Sequence, residues 1–499
     1  MSCLSPTESE LEAIRKRMGS QEINENIITL LRGGFVIKTQ IGNIQVGMPP
    51  ETVKDSMNLG INMPNVFIVP RVRYDKKSFL NVAEFEFPAY FNFFITRKRI
   101  RILCTQETKL LLEIVFQETL LGPKDFANFE KEFDDSVPKN FIPDMKKELS
   151  YFAVNPFTKE KLTVETLLDI IVFDENNQYT IDNKVRIINN LKDDTFEFYD
   201  IEKSQFIART PQTVILNPSN YYCSKLFKEE KIKLIQAGSD KNIKGSESES
   251  APLGFTPPFF GVTVLGASHG FDCHGSTSGY IIWVNQRGIM VDPPPFSGTS
   301  LRDFGIPPNI IDKIIITHCH ADHDAGSFQK ILMAHQVEIV TSPTIMGSFL
   351  RKYSAMTGFS IKQMKSFFVF RPVTMGSPVN IAGGEFRFFY TFHSIPTIGF
   401  EICFCGKSIY FSADTFYNPP ALKDIYLKGV FTKQRYEALV DVNWLSYDLI
   451  LHEAGVPPIH TPTKVLEELP PAIKDKLYLV HIAAKDIPTG TGLKAAIPG

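Results

Sequence analysis

Histidine is missing from the first 268 residues of this 499-residue chain; all ten lie between His269 and His481. A random scatter would not leave that gap, so any imidazole chemistry belongs to the C-terminal half. Disulfide scaffolding is lacking too. The seven cysteines, Cys3, Cys104, Cys223, Cys273, Cys319, Cys403 and Cys405, are odd in number and form no CxxC pair. They read as reduced thiols in a cytoplasmic compartment. No apolar run approaches the roughly 20 residues of a membrane span. The start, Met1-Ser2-Cys3-Leu4-Ser5-Pro6-Thr7-Glu8, has neither the basic residues nor the apolar core of a secretory signal. Neither sign of charge prevails: 53 Lys+Arg face 55 Asp+Glu, a net charge of -2. No global basic field therefore advertises nucleic acid or an anionic membrane. What remains, 43% hydrophobic and 22% charged residues, is an ordinary soluble globular composition, and the length suits two domains.

The division is marked by Gly238 to Leu253 (GSDKNIKGSESESAPL), a Gly/Ser/charge-rich linker followed by Pro257-Pro258. It separates an N-terminal mixed α/β domain of unknown role, 1–237, from a C-terminal domain, 254–499. In the first, Glu8–Arg17 reads as a helix, Phe35–Gln40 and Ile44–Val46 as a hairpin, Ile100–Cys104 as a strand and Glu107–Glu118 as a helix. Pro49-Pro50-Glu51 opens another helix, and Tyr151–Asn220 alternates short strands with turns. The aromatic stretch Phe85–Phe94 reads as a buried strand or a docking surface. In the second, Val262–Gly266, Gly279–Val284 and Gly288–Asp292 are short apolar strands. Ile314–Thr317 suits a central strand buried on both faces, and Ser327–His335 reads as a helix. No internal repeat is evident.

Directly after that central strand comes Thr317-His318-Cys319-His320-Ala321-Asp322-His323. In a loop, His318 and His320 can turn both imidazoles towards one ion, while Asp322 and His323 serve a second. Imidazole and carboxylate ligands suit Zn, Mn or Fe, and no thiolate is needed, unlike a structural cysteine-type zinc site. Alternation turns the Cys319 side chain away from its neighbours'. Cys403 and Cys405 read as small buried hydrophobes rather than ligands, and His269 and His274 as residues that border the pocket.

The pattern H-x-H-x-D-H after an apolar strand resembles the metallo-β-lactamase superfamily, and the resemblance covers roughly Phe255 to Pro488. It implies an α/β fold, a four-layer αββα sandwich in the C-terminal half, preceded by a separate mixed α/β domain. Later segments recur in the family's order: Phe392-His393-Ser394, Ser412-Ala413-Asp414 and Val480-His481. The resemblance then implies His318, His320 and His393 on one ion, Asp322, His323 and His481 on the other, and Asp414 between them. Two such ions, Zn first with Mn or Fe as alternatives, lower the pKa of a shared water and clamp the attacked and leaving oxygens.

His452-Glu453-Ala454-Gly455, with His460 beyond it, resembles the tail of the tRNase Z-like phosphodiesterases. There a Glu steers a His that protonates the departing oxygen, so Glu453 and His460, with Asp322, are the implied catalytic residues. Gly455 replaces the usual Thr, no Gly/basic tRNA-holding arm lies between His323 and His393, and a long insert runs from Phe416 to Ser446. The whole chain is more similar to protist and bacterial proteins related to cyclic-nucleotide phosphodiesterases. Some of these carry nucleotide-binding domains after the hydrolase, where this chain ends. The expected function is hydrolysis of a phosphodiester, first a 3',5'-cyclic nucleotide. The alternatives are a tRNase Z-like RNA endonuclease and a scaffold or assembly subunit retaining a metallohydrolase domain. Expected partners are the small phosphodiester, a protein docked on the N-terminal half, and a second copy of the chain. No membrane is expected, and nucleic acid is not favoured.

Overall fold

The computed structural model describes residues 22–75, 79–211, 255–333 and 336–499. The expected Glu8–Arg17 helix, the Gly238–Leu253 linker and the end of the Ser327–His335 helix lie outside the described residues. In the C-terminal half two sheets face each other. The first runs antiparallel through Phe260–Gly266, Gly279–Val284 and Arg287–Val291, then parallel through Ile311–Ile315, Glu338–Thr341 and Val369–Pro372. The second runs antiparallel through Val379–Ile381, Gly384–Tyr390, Ile398–Phe404 and Lys407–Phe411. It then continues parallel through Leu449–Glu453, Leu477–Val480 and Lys494–Ala495. Both sheets thus follow one course, a repeat of topology that leaves no trace as a repeat of residues.

Alternation along the strands fills the space between the sheets. Tyr280, Ile282 and Ile314 from the first meet Phe386, Phe388, Phe400 and Phe411 from the second in one buried cluster. The Tyr280 ring bridges the sheets, 5.1 Å from Phe411. On the outer faces, Leu301 of helix Ser297–Asp303 packs on Ile281, Trp283 and Met290. Leu466 and Ile473 of helices Thr463–Glu467 and Pro471–Lys474 cover Ile450, Leu477 and Leu479 of the second sheet. Helix, sheet, sheet, helix is the expected αββα sandwich, built because each sheet is apolar on both faces and must cover both.

The parallel strands all end at one rim, where an α/β fold exposes loops rather than ladders. Ile311–Ile315 leads to His318, Lys407–Phe411 to Asp414, Leu449–Glu453 ends on Glu453, and Leu477–Val480 leads to His481. At Asp292, Ala413 and His481, which follow strands Arg287–Val291, Lys407–Phe411 and Leu477–Val480, the backbone turns through positive φ of 47°, 48° and 58°. For residues bearing a Cβ this conformation is costly and persists where surrounding structure enforces it.

The N-terminal half has its own seven-stranded sheet, Glu22–Asn24, Ile27–Thr29, Phe35–Thr39, Gly42–Val46, Val66–Ile68, Ile100–Cys104 and Leu168–Val172. Beside it lies an antiparallel sheet of Gln178–Ile181, Val185–Asn190, Thr195–Asp200 and Gln205–Arg209. Its packing nonetheless crosses to the other half: Tyr74, Phe129 and Met145 belong to the same buried cluster as Tyr280 and Phe411. Buried Arg435, in the Phe416–Ser446 insert, reaches back to Glu148 through Nε at 2.9 Å and Nη2 at 3.0 Å.

Two expectations are corrected. Phe85–Phe94 is neither a strand nor an outward docking surface. It forms helix Glu86–Tyr90 continuing into π-helix Phe91–Thr96, because its aromatics recur at helical spacing. Phe85, Ala89 and Phe93 are buried, while Tyr90 stacks on Phe94 at 5.5 Å. Cys403 and Cys405 are exposed rather than buried, since they sit at the open end of strand Ile398–Phe404 and in the turn after it.

Candidate metal centre

Every residue of the expected ligand set reaches the rim and is nearly closed off from solvent: His318 at 0%, His320 5%, Asp322 7%, His323 3%, His393 2%, Asp414 2% and His481 5%. Asp414 is the hub. Its Oδ2 lies 3.7 Å from His318 Nε2, 3.8 Å from His393 Nε2, 3.4 Å from His323 Nε2 and 3.8 Å from His481 Nε2. On one side His318, His320, His393 and Asp414 converge with donor atoms within 4.8 Å; on the other Asp322, His323 and His481 do the same. His481 Nε2 stands 3.1 Å from Asp322 Oδ2.

Outer partners fix which nitrogen of each ring faces the centre. Thr317 Oγ1 donates to Asp292 Oδ2 at 2.6 Å, so it accepts from His318 Nδ1 at 2.9 Å. His323 Nδ1 donates to Asp292 Oδ2 at 2.9 Å, and His393 Nδ1 to the Ile459 carbonyl at 2.9 Å. For His318 and His393 this leaves an inward nitrogen carrying a lone pair; at His323 burial works to lower the pKa, but the Asp414 and Asp322 charges raise it well above the ordinary value. His320 presents Nδ1, which lies 3.1 Å from His318 Nε2 and 3.2 Å from His393 Nε2. Burial holds all three rings neutral, driving the His318 and His320 pKa values well below the ordinary imidazole value and His393 to about 3. Three lone pairs aimed at one point repel unless a cation lies between them. Asp414 Oδ2 and His323 Nε2 are likewise buried without a hydrogen-bond partner. The donor set therefore fits a divalent metal, and its lack of thiolate and presence of carboxylate suit a catalytic rather than a structural site.

Asp292 carries no role in the sequence reading, yet it does three things at once. It accepts from the Thr317 amide at 2.8 Å, from the Thr317 hydroxyl, and from His323 Nδ1. Its only signal is a carboxylate at the end of an apolar strand, Gly288-Ile289-Met290-Val291-Asp292, too common a pattern to single out.

His460 and Glu453 stand beside this group. His460 Nδ1 is 3.2 Å from Glu453 Oε2 and 3.7 Å from Asp414 Oδ2. The His460 ring lies along His481 at 4.7 Å and 28°. Glu453 is pinned in turn: its Oε1 accepts from the Thr461 amide at 2.8 Å and the Thr415 amide at 3.3 Å, and its own amide donates to Ser412 Oγ at 2.9 Å. Burial works to lower the His460 pKa, but the Glu453 charge, with Asp414 and Asp322 behind it, raises it above the ordinary value. Gly455 explains itself here, since a Cβ at that position would lie 2.9 Å from His460 Cβ and 3.0 Å from its Cγ. The short spacing between Glu453 and His460 brings the ring over residue 455, and only glycine leaves room.

The remaining singled-out residues separate cleanly. His269 borders the centre, its ring 6.3 Å from His481 and 6.4 Å from Phe271. His274 is exposed. Cys319 points into the core, its thiol 3.6 Å from the Ile345 carbonyl. Arg435, basic in sequence, is buried and neutralised by Glu148.

The sandwich and its donor arrangement resemble those of the metallo-β-lactamase fold. Residues 260–491 match the family model described as anti-Pycsar protein Apyc1. The chain is 35% identical to the cGMP-dependent 3',5'-cGMP phosphodiesterase A of Dictyostelium discoideum over 94% of its own length and 64% of that protein's. It is 33% identical to the cAMP/cGMP-dependent 3',5'-cAMP/cGMP phosphodiesterase B of the same organism, over 89% and 42%. The chain thus spans less than two thirds of either curated relative. Among solved structures, the metallo-β-lactamase fold protein YhfI from Bacillus subtilis is similar at 17% identity and a TM-score of 0.36, covering 48% of this chain and 96% of that one. Human tRNase Z, short form, is similar at 16% identity and a TM-score of 0.34, with the same coverage. No helix among the described residues is long and apolar enough to cross a membrane.

Proposed function

We propose that the chain is a metal-dependent phosphodiesterase acting on a 3',5'-cyclic nucleotide. The observation that carries the reading is the pairing of His460 with Glu453, 3.2 Å apart, at the edge of the Asp414-centred donor group. Two divalent ions, Zn first among the candidates, would be held by His318, His320 and His393 on one side and Asp322, His323 and His481 on the other, with Asp414 shared. Such ions supply charge neutralisation for the phosphate and an acidified water. The chain's own part is then positional and acid–base. Asp292 and the Ile459 carbonyl orient His323 and His393. Glu453 orients His460 through Nδ1, so the other ring nitrogen carries the proton delivered to the departing ribose oxygen. An alkoxide needs that proton more than a thiolate does, which favours phosphodiester over thioester. The partly buried ring of His269, 6.3 Å from His481, would provide an aromatic face for the base. The relatives, named as phosphodiesterases of cyclic GMP and cyclic AMP, support the same substrate class. The near-neutral charge and the burial of Arg435 speak against RNA. Scattered free thiols support a cytoplasmic setting.

The test is turnover of cyclic AMP, cyclic GMP and bis(p-nitrophenyl) phosphate by purified protein loaded with Zn or Mn. Hydrolysis of a cyclic nucleotide to the 5'-monophosphate is expected. A metal-loaded chain that leaves all three untouched would overturn the reading.

A further inference from the structure

Among its described residues the N-terminal half places no ligand in the centre, yet two of its helices, Glu86–Tyr90 and Gln117–Leu121, touch the metal loop on either side of a ligand. Glu86 and Tyr90, one turn apart on helix Glu86–Tyr90, face the same way. The buried Glu86 carboxylate accepts from the Ala321 amide through Oε2 at 3.0 Å, across 235 residues of chain. That amide opens helix Ala321–Asp324, whose preceding residue, His320, offers no side-chain cap. Buried Thr119 joins the same group: its hydroxyl meets Glu86 Oε2 and lies 3.0 Å from the Cys319 carbonyl. The Tyr90 ring stands edge-on to His320 at 6.3 Å. Ser394 Oγ is 3.4 Å from His320 Nε2, the nitrogen facing away from the centre. Backbone on both sides of His320 is therefore contacted, and its ring flanked, by residues about 200 or more positions upstream.

We propose that Glu86 and Thr119 are positioning residues of the metal centre, and that the N-terminal half acts as a permanent clasp on the His320 loop. The C-terminal half holds the loop as well, through Lys352 Nζ on the Cys319 carbonyl at 2.8 Å and on Asp324 Oδ1 at 2.7 Å, whereas among the described residues the hydrogen bond to the Ala321 amide comes from Glu86. A ligand whose outer partners are removed typically loses about 10–100-fold in metal affinity.

The inference rests on the metal reading of the site, and its test reads the metal rather than turnover. Full-length Glu86→Ala, Glu86→Gln, Thr119→Val and, as control, Arg101→Ala, which removes a surface pair with Asp182, are titrated with Zn2+ and Mn2+ against a chromogenic chelator. Far-UV circular dichroism melts run alongside. Glu86→Ala is expected to weaken metal binding about 10–100-fold. Glu86→Gln should recover part of that loss, because an amide oxygen still accepts from Ala321. Arg101→Ala should bind as the parent does. Parent-like affinity in both Glu86→Ala and Thr119→Val overturns the clasp, as does a Glu86→Gln no better than Glu86→Ala. Should Glu86→Ala fail to fold, Thr119→Val decides alone: weakened binding supports the clasp and parent-like binding overturns it. A parent chain that binds neither ion overturns the metal reading itself, a result distinct from either of these.

Discussion

Replacing Gly455 with alanine places a methyl group where the His460 ring now rests. The new Cβ would lie 2.9 Å from His460 Cβ and 3.0 Å from Cγ, so the ring must retreat by about 0.5 Å to reach an ordinary contact of 3.4 Å. It has little freedom to do so. His481 lies along it at 4.7 Å, His393 is 5.5 Å away, and Glu453 Oε2 stands 3.2 Å from Nδ1. Overpacking of this kind costs about 1–3 kcal/mol. Misplacement of a reacting group by 1 Å costs roughly 100-fold in rate, so a shift of half that size should cost about 10-fold. The expected result is a chain with unchanged metal content whose kcat on a cyclic nucleotide falls about 10-fold. Bis(p-nitrophenyl) phosphate should be hardly affected, because nitrophenolate departs without an acid. Steady-state kinetics on both substrates, with metal analysis of the same preparations, measures the split. Equal losses on both substrates would refute the argument, as would parent-like rates on both.

Asp292→Asn removes the charge that orients His323, and metal affinity should fall about 10–100-fold in chelator competition with little change in fold. Asp414→Ala takes away the carboxylate common to both donor groups, and metal analysis should find the preparation depleted and inactive. Arg435→Met strands the buried Glu148 carboxylate and the Tyr390 and Thr391 carbonyls it now bonds; breaking such a pair costs about 3–5 kcal/mol, read as a lower denaturant midpoint. Glu51 is nearly buried beside Lys54 and Arg32. Burial opposes its ionisation, but the two cations win and hold its pKa down to about 2 against an ordinary 4.5. A depressed carboxylate stabilises above its unfolded pKa, so Glu51 contributes on the order of 3 kcal/mol at neutral pH. That contribution should shrink as pH falls from about 4.5 towards 2. Urea midpoints of the parent and Glu51→Gln should converge over that window, and parallel curves would count against it.

What the sequence discloses of the centre depends on how close its parts lie along the chain. His318 to His323 declare themselves because several ligands share one loop. His393, Asp414 and His481 are single residues and become readable through family order alone. Asp292 escapes notice because nothing in a strand-end aspartate separates a ring-orienting carboxylate from an ordinary turn. Glu86 and Thr119 are further out of reach, since their partners lie 200 residues or more away and no local pattern encodes such a contact. Phe85–Phe94 misleads because aromatic residues favour strands by propensity, whereas here burial at helical spacing decides. Gly455 looks like a loss relative to the tRNase Z pattern until His460 is seen above it.

The clasp also sets an order of events during synthesis. Glu86 leaves the ribosome well before Ala321, 235 residues later, which at about 5–20 residues per second is on the order of 10–50 s. Through that interval the helix that will cap the metal loop has nothing to cap. Phe87 lacks Phe271, and the Glu86 carboxylate must stay hydrated. The nascent N-terminal half is therefore obliged to wait with an aromatic, acid-bearing face uncovered until Phe271 and the Ala321 loop have been made.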